Sequence, residues 1–398
     1  MATSLGIIIV LGLLVGALFT KMRLPGLLGM LILGIAIGPY GLDWISKDIL
    51  DVSGDLRKIA LIVILIRAGL GISREQIKKT GTSAMKMSCI PVLLEGFTIT
   101  FVSIFLLNFT FIEAGMLGFI VAAVSPAVIV PSMLNYIEKG VGSEKGVPTL
   151  ILASASIDDV FAITIFSTFT GLYVAESINI GMQILSIPFS VISGIGIGAL
   201  IGFLMIWIFK KYEIRDTKKV LYVLGGAILL TALENVLERL AQDTGLYFIQ
   251  IAGLLGVMAI GFVILEKQPQ IAKRMSTKFN KIWVLAEILL FVLVGAEINI
   301  YVAVNAGLLG MVIICTGLLA RSLGVVISLA GSKFNRKEIM FCIIAYSPKA
   351  TVQAAIGSIP LAMGVASGDI ILAIAVLSIM VTAPLGAIGI KATAKRLL

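Results

Sequence analysis

The sequence predicts an all-α polytopic membrane protein of about thirteen transmembrane helices, arranged as two copies of a six-helix unit. Three observations predict it. Of 398 residues, 59% are hydrophobic and only 13% are charged, too little charge to cover a soluble domain of this size. Apolar runs near the length of a bilayer span recur from end to end. A series of unusual features also appears twice, in the same order, in the two halves of the chain.

Spans are expected at roughly 5–21, 24–40, 58–72, 84–108, 112–135, 148–174, 179–210, 219–240, 244–265, 279–298, 303–330, 337–363 and 369–392. The first run shows no small-residue cleavage site and reads as a retained span. Basic residues cluster after the first span (Lys21, Arg23), the third (Arg74, Lys78, Lys79) and the seventh (Lys210, Lys211, Arg215). They cluster again after the ninth (Lys267, Lys273, Arg274), the eleventh (Lys333, Arg336, Lys337) and the last (Lys391, Lys395, Arg396). Every second loop is therefore basic, which puts the amino terminus outside and the carboxyl terminus in the cytoplasm. The net charge of +9 follows from these loops and does not point to nucleic acid. The three cysteines lie in apolar runs, where burial as small apolar residues is expected rather than disulfide or metal chemistry. There is no histidine, so a pH response near neutrality must come from a carboxylate or a lysine.

The repeat rests on order. "VSPAVIVPSM" (Val124 to Met133) lies in the fifth span and "YSPKATVQAA" (Tyr346 to Ala355) in the twelfth. The third span ends "RAGLGI" and the tenth "VGAEI"; Glu95 and Arg321 hold matching places in the fourth and eleventh. Repeat one then covers 1–175, a linker helix 176–212 and repeat two 213–398. Six spans plus one linker reverse the polarity of the second copy, which makes the repeat an inverted one and suggests a secondary transporter.

A single membrane proline commonly does no more than kink its helix. Here Pro126 and Pro131 bracket a short segment, and Pro348 occupies the matching place in the other copy. Paired breaks at repeat-related positions point to a binding site near the midplane, where half-helix ends expose opposing partial charges. Lys349 follows Pro348 directly and is placed to compensate exposed carbonyl ends; Ser125 and the carbonyl of Val124 are candidate ion contacts.

Charged side chains inside a span cost roughly 2.5–3.5 kcal/mol each on insertion scales, so those present call for a reason. Arg67, Glu287 and Glu297 fall near span ends, where snorkelling accounts for them. Glu95 and Arg321 are expected to pair across the pseudo-twofold axis. "SASIDDVFAIT" (Ser154 to Thr164) places Asp158 and Asp159 side by side in an apolar span. Consecutive helix residues point about 100° apart, so one faces the breaks while the other faces a neighbouring helix or a basic partner. Ser154 and Ser156 are placed to add hydroxyl oxygens. A buried carboxylate with oxygen neighbours holds either a proton or a small hard cation, which makes Asp159 and Asp158 the expected ion ligands.

With these residues in view, the chain resembles the cation/proton antiporter superfamily, and its NHA-type sodium/proton antiporters in particular. "LPGLLGMLILGIAIGPYGL", "LIRAGLGI", "SPAVIVPSML", "SASIDDV" and "SPKATVQAAIG", five motifs in order over nearly the whole chain, carry the resemblance. It implies the NhaA-type fold with two crossed discontinuous helices, elevator-type alternating access and a homodimer in the lipid membrane. It implies a core transport domain from spans at about 58–174 and 279–392 and a dimerisation domain from spans at about 5–40 and 179–265. Asp159 matches the family's principal ion- and proton-binding carboxylate, Asp158 its neighbour, Glu95 and Arg321 a core ion pair, and Lys349 the lysine at the second break. Many members carry Thr-Asp before the first break where this chain has Val124 and Ser125, which shifts coordination onto the aspartates, serines and backbone. Arginine does not deprotonate at accessible pH, and with Arg321 as the base, one-for-one exchange is favoured.

The function expected is exchange of Na+ or Li+ for H+ without cofactor or enzymatic activity, in a prokaryotic plasma membrane. Potassium/proton exchange and sodium-coupled solute symport are the alternatives; the breaks lack the aromatic and amide cluster an organic solute would need. An intramembrane aspartyl protease is a remote alternative, disfavoured because its acids must face each other from different helices.

Overall fold

The structure is a computed structural model that describes residues 1–22, 24–71, 74–142, 144–174, 180–244 and 251–398. Among these residues all regular structure is helical: α1 (Ala2–Lys21), α2 (Gly26–Ile37), α3 (Lys47–Asp51), α4 (Ser53–Gly71), α5 (Arg74–Leu107), α6 (Phe111–Ala122), α7 (Pro126–Glu138) and α8 (Val147–Val174). There follow α9 (Ile180–Lys211), α10 (Asp216–Thr244), α11 (Gly253–Lys267), α12 (Pro269–Ala296), α13 (Ile300–Leu329), α14 (Arg336–Ala345), α15 (Thr351–Ile356), α16 (Ile359–Ala362) and α17 (Gly368–Leu397). Among the described residues eight helices are long and apolar enough to cross a membrane: α17 and those at Ala2–Lys21, Gly81–Leu107, Val147–Tyr173, Ile192–Lys211, Asp216–Leu237, Pro269–Ala296 and Gly307–Leu329.

Several helices outrun their apolar windows. α12 begins at Pro269, about ten residues before the expected span, because Lys273, Arg274 and Lys278 continue the helix without being apolar. A hydropathy window stops at charge, whereas backbone hydrogen bonding does not. Asp55 and Asp369 sit in the first turns of α4 and α17, where a carboxylate favours the helix dipole.

The chain divides into two compact units. One comprises Met1–Arg57, Ile77–Thr170 and Glu287–Leu398; the other comprises Lys58–Gln76 and Gly171–Ala286. In the first, α2 meets the carboxyl-terminal part of α12 at backbone contact: a Cβ on Gly34 would stand 2.1 Å from the Val292 carbonyl oxygen, and one on Gly295 2.2 Å from that of Leu31. Gly12 and Gly16 receive Ile288 and Met30. In the second, Gly194 and Gly198 of α9 lie against the carbonyls of Ala252 and Gly256, beside and within α11. These small-residue rows are thus used for packing inside the chain. Cys342 is buried and Cys89 half-buried, but Cys315 lies exposed on α13, contrary to the expected burial; on an apolar helix, lipid solvates that face as an interior would.

The first unit holds both broken helices, and the sequence sets their ends alike. α6 starts with a capping box: the Glu113 N–H donates to Thr110 Oγ1 at 3.3 Å, and Thr110 N–H to Glu113 Oε2 at 3.0 Å. α14 starts with another, Glu338 N–H to Asn335 Oδ1 at 2.9 Å and Asn335 N–H to Glu338 Oε2 at 2.6 Å. Each then stops short of a Ser-Pro step. α7 resumes with Pro126 at its first position, where no N–H is required, and α15 resumes at Thr351. α17 presses on the second break, with the Pro348 ring seated over Gly386, where a Cβ would stand 2.2 Å from Pro348 Cγ.

Candidate functional site

The two breaks meet. The Ser125 N–H donates to the Pro348 carbonyl at 2.8 Å, and the Ser125 and Thr351 hydroxyls stand 3.5 Å apart. Lys349 N–H donates to Thr382 Oγ1 of α17 at 2.8 Å. α8 runs past this junction and supplies Ser154, Asp158 and Asp159, and α5 and α13 supply Glu95 and Arg321. Ser125, Val124, Ser154, Asp158, Glu95 and Lys349 have no solvent exposure, and Asp159 has 7%.

Arg321 is the hub. Its Nη1 donates to Glu95 Oε2 at 2.6 Å and also to the Ala122 carbonyl; Nη2 donates to Asp158 Oδ1 at 2.8 Å; Nε donates to the Tyr346 carbonyl at 2.6 Å. One guanidinium therefore binds two acids and the carboxyl ends of both broken helices, where the carbonyls carry partial negative charge. The Tyr346 ring lies under it, with the guanidinium carbon 4.9 Å from the ring centroid. Lys349 Nζ donates to Glu95 Oε2 at 2.7 Å and to the Ala122 carbonyl at 3.2 Å. Asp158 Oδ2 accepts the Val124 N–H at 2.9 Å, which places this carboxylate at the positive end of α7.

The two aspartates divide as adjacent helix positions must. Asp158 accepts from Arg321 through Oδ1 and from the Val124 N–H through Oδ2. Asp159 Oδ1 is buried and accepts no hydrogen bond. Ser154 Oγ donates to the Leu150 carbonyl at 2.7 Å, which leaves its lone pairs as acceptors. Ser156 lies on the same helix, but its side chain is outside the described residues. Toward the amino end of α8, an apolar cluster that includes Met87, Ile129, Met133, Ile151, Phe341 and Tyr346 packs the bundle.

The remaining charges lie elsewhere. Glu297 Oε1 takes Arg57 Nη2 at 2.7 Å and the Ser53 hydroxyl at 2.5 Å, and Arg57 also donates to the Ser358 hydroxyl. Arg67 donates to Asn280 Oδ1 at 2.9 Å and lies over Trp283. From sequence Arg321 is expected to pair with Glu95; the structure adds Asp158 and brings in Gln353, which no charge pattern marks. This amide, fully buried in α15, donates from Nε2 to the carbonyls of Ile120 (2.9 Å), Val121 (3.2 Å) and Ala123 (2.8 Å). The available signal was an amide five residues after an intramembrane proline. Among the described residues no group of three or more His, Cys, Asp or Glu side chains is placed to hold a metal ion.

Two broken helices meeting beside buried acids are the arrangement expected of an ion-transporting membrane protein. The comparisons name its family. The sequence model described as "Sodium/hydrogen exchanger, transmembrane" matches residues 7–396, and the chain belongs to that family. Sodium/hydrogen exchanger 9B2 of Homo sapiens is 33% identical over 389 residues, covering 94% of this chain and 70% of the relative. Sodium/hydrogen exchanger 9B1 of Homo sapiens is 31% identical over 379 residues, covering 92% and 71%. The solved structure of the sodium proton antiporter MjNhaP1 from Methanocaldococcus jannaschii at pH 8 superposes with a TM-score of 0.84 over 99% of this chain and 97% of that one; at 23% identity it shows a shared fold. The chain is thus an integral membrane cation/proton antiporter of the sodium/hydrogen exchanger family. The expectation of a prokaryotic membrane gains no support, since these curated relatives are vertebrate proteins.

Proposed function

We propose that this protein exchanges one Na+ or Li+ for one H+ and that Asp159 is the group they contest. The observation that carries this reading is a charge count. Glu95, Asp158 and Asp159 face Arg321 and Lys349, so the buried cluster is one positive charge short, and the unmatched group is Asp159. An unpaired buried carboxylate is strongly disfavoured, and either a proton or a small monovalent cation relieves it. Both together would overfill the count, so binding of one expels the other. Asp158 stays ionised against an arginine that keeps its proton, so a single acid titrates and each cycle moves no net charge.

The cation is taken by Asp159 with Ser154, Ser156, Ser125, Asp158 and the Val124 carbonyl as the available oxygen donors, and no resident cofactor is required. Lys349, Pro126 and Pro348 shape the breaks, and Glu95 with Arg321 fixes them. Thirteen crossings result if α2, α4, α11 and the broken pairs α6–α7 and α14–α16 join the eight long spans. In this reading the chain is a transporter and not an enzyme. Its termini lie outside (amino) and in the cytoplasm (carboxyl), and it works in lipid as a homodimer. A transport domain from spans at about 58–174 and 279–392 moves elevator-fashion against a dimerisation domain from spans at about 5–40 and 179–265.

Exchange is tested in proteoliposomes carrying a pH gradient, with Na+, Li+ and K+ added in turn. Na+ and Li+ are expected to dissipate the gradient in the wild type and to leave it intact in Asp159→Asn. A response confined to K+ would refute the substrate assignment, and undiminished exchange in Asp159→Asn would refute the site.

A further inference from the structure

The carbonyls of Ile120, Val121, Ala122 and Ala123 at the carboxyl end of α6 are all occupied, and for the first three the sequence accounts for why a substitute donor is needed. In an unbroken helix Ile120 O would receive the Val124 N–H and Val121 O the Ser125 N–H. Those donors go instead to Asp158 Oδ2 and to the Pro348 carbonyl, and Pro126 has no N–H to give Ala122 O. Arg321 and Lys349 take Ala122 O, while Gln353 alone covers Ile120, Val121 and Ala123. Chemistry fixes the orientation of this amide, since the flipped form would set its oxygen against three carbonyl oxygens.

We propose that Gln353 is a positioning residue that keeps the carbonyls of Ile120, Val121 and Ala123 from ligating the transported cation, so that the cation has to win Asp159 from the proton. The inference rests on the contested Asp159 described above. A carbonyl oxygen binds Na+ but takes up no proton at accessible pH. Free carbonyls at 120, 121 and 123, flanking the Ala122 carbonyl that Arg321 and Lys349 hold, would offer the cation a seat that asks nothing of Asp159, and exchange would then uncouple. An amide closes those seats with neutral donors. Lysine or arginine in its place would close them too, but would bring the cluster to neutrality with no cargo bound.

The test is the slope of the apparent KM for Na+ against pH in proteoliposomes, for wild type, Gln353→Met and Gln353→Glu. Strict one-proton competition makes the wild-type KM rise about tenfold per pH unit on the acid side of the Asp159 titration. Gln353→Met keeps the length and removes the donors, and its slope is expected to flatten to about threefold per unit or less, with a lower KM than wild type at the acid end. Gln353→Glu keeps the shape, and as a neutral acid has one hydrogen for three carbonyls, so an intermediate slope is expected; it carries the test should the methionine variant not fold. A purely structural role would lower the maximal rate and leave the slope at its wild-type value, and that result in the folded variants overturns the proposal. A flat wild-type slope, or transport by Asp159→Asn, overturns the contested-acid reading itself and is separately recognisable.

Discussion

Arg321 holds Asp158 at 2.8 Å through Nη2 while Nη1 of the same guanidinium holds Glu95 at 2.6 Å. The pairing separates two chemically identical neighbours into a clamped acid and an available one. Asp158→Asn leaves part of a buried guanidinium without its anion and is expected to destabilise the protein by about 3–5 kcal/mol. Asp159→Asn removes an unpaired buried charge and is expected to leave stability unchanged or raise it. Thermal unfolding of the two variants in detergent checks this; equal losses would contradict it.

Because Arg321 keeps its proton through the cycle, exchange is expected to be indifferent to membrane potential. Proteoliposomes clamped with potassium and valinomycin at zero and at strongly negative potential should give equal initial rates. A rate that grows with potential would mean that a second group titrates.

Protons and cations competing for one carboxylate also link cation binding to stability. Na+ at about a hundredfold its Kd should raise stability by about 2.7 kcal/mol when Asp159 is ionised. The sign follows from the site: the cation binds only the deprotonated form, so the stabilisation is present at high pH and lost as pH falls through the Asp159 titration. Melting curves with and without Na+ over a series of pH values test it; a Na+ effect that does not fade toward acid pH would contradict it.

Away from the junction, Arg57 is buried against Glu297, Ser53 and Ser358. Glu297→Ala strands that guanidinium and is expected to cost about 3 kcal/mol, at the lower end for buried pairs since Glu297 is partly exposed. The pH slope of the Na+ KM should stay as in wild type, because this pair is no part of the charge count around Asp159.

Much of this was legible in the sequence, for physical reasons. An apolar chain cannot hide Ser125-Pro126, Ser347-Pro348 or two adjacent aspartates, because each breaks a rule that lipid enforces. Pairing was less legible. Arg321 has five donors in a fixed fork, and which acids and carbonyls they reach is decided by where α5, α8 and the two breaks converge. Gln353 was passed over because a neutral amide raises no charge alarm, although its work on three carbonyls exists only once the helices meet. Element ends were misjudged where charge continues a helix, as in α12.

The central claim is that one acid, Asp159, exchanges one proton for one cation. The most direct measurement is the number of protons released per Na+ bound, from calorimetric titrations of purified protein in buffers of differing ionisation enthalpy, at a pH where the sodium-free site is protonated. One proton is expected for wild type, and no Na+ binding for Asp159→Asn. Release of two protons, or binding of Na+ with none released, would contradict it.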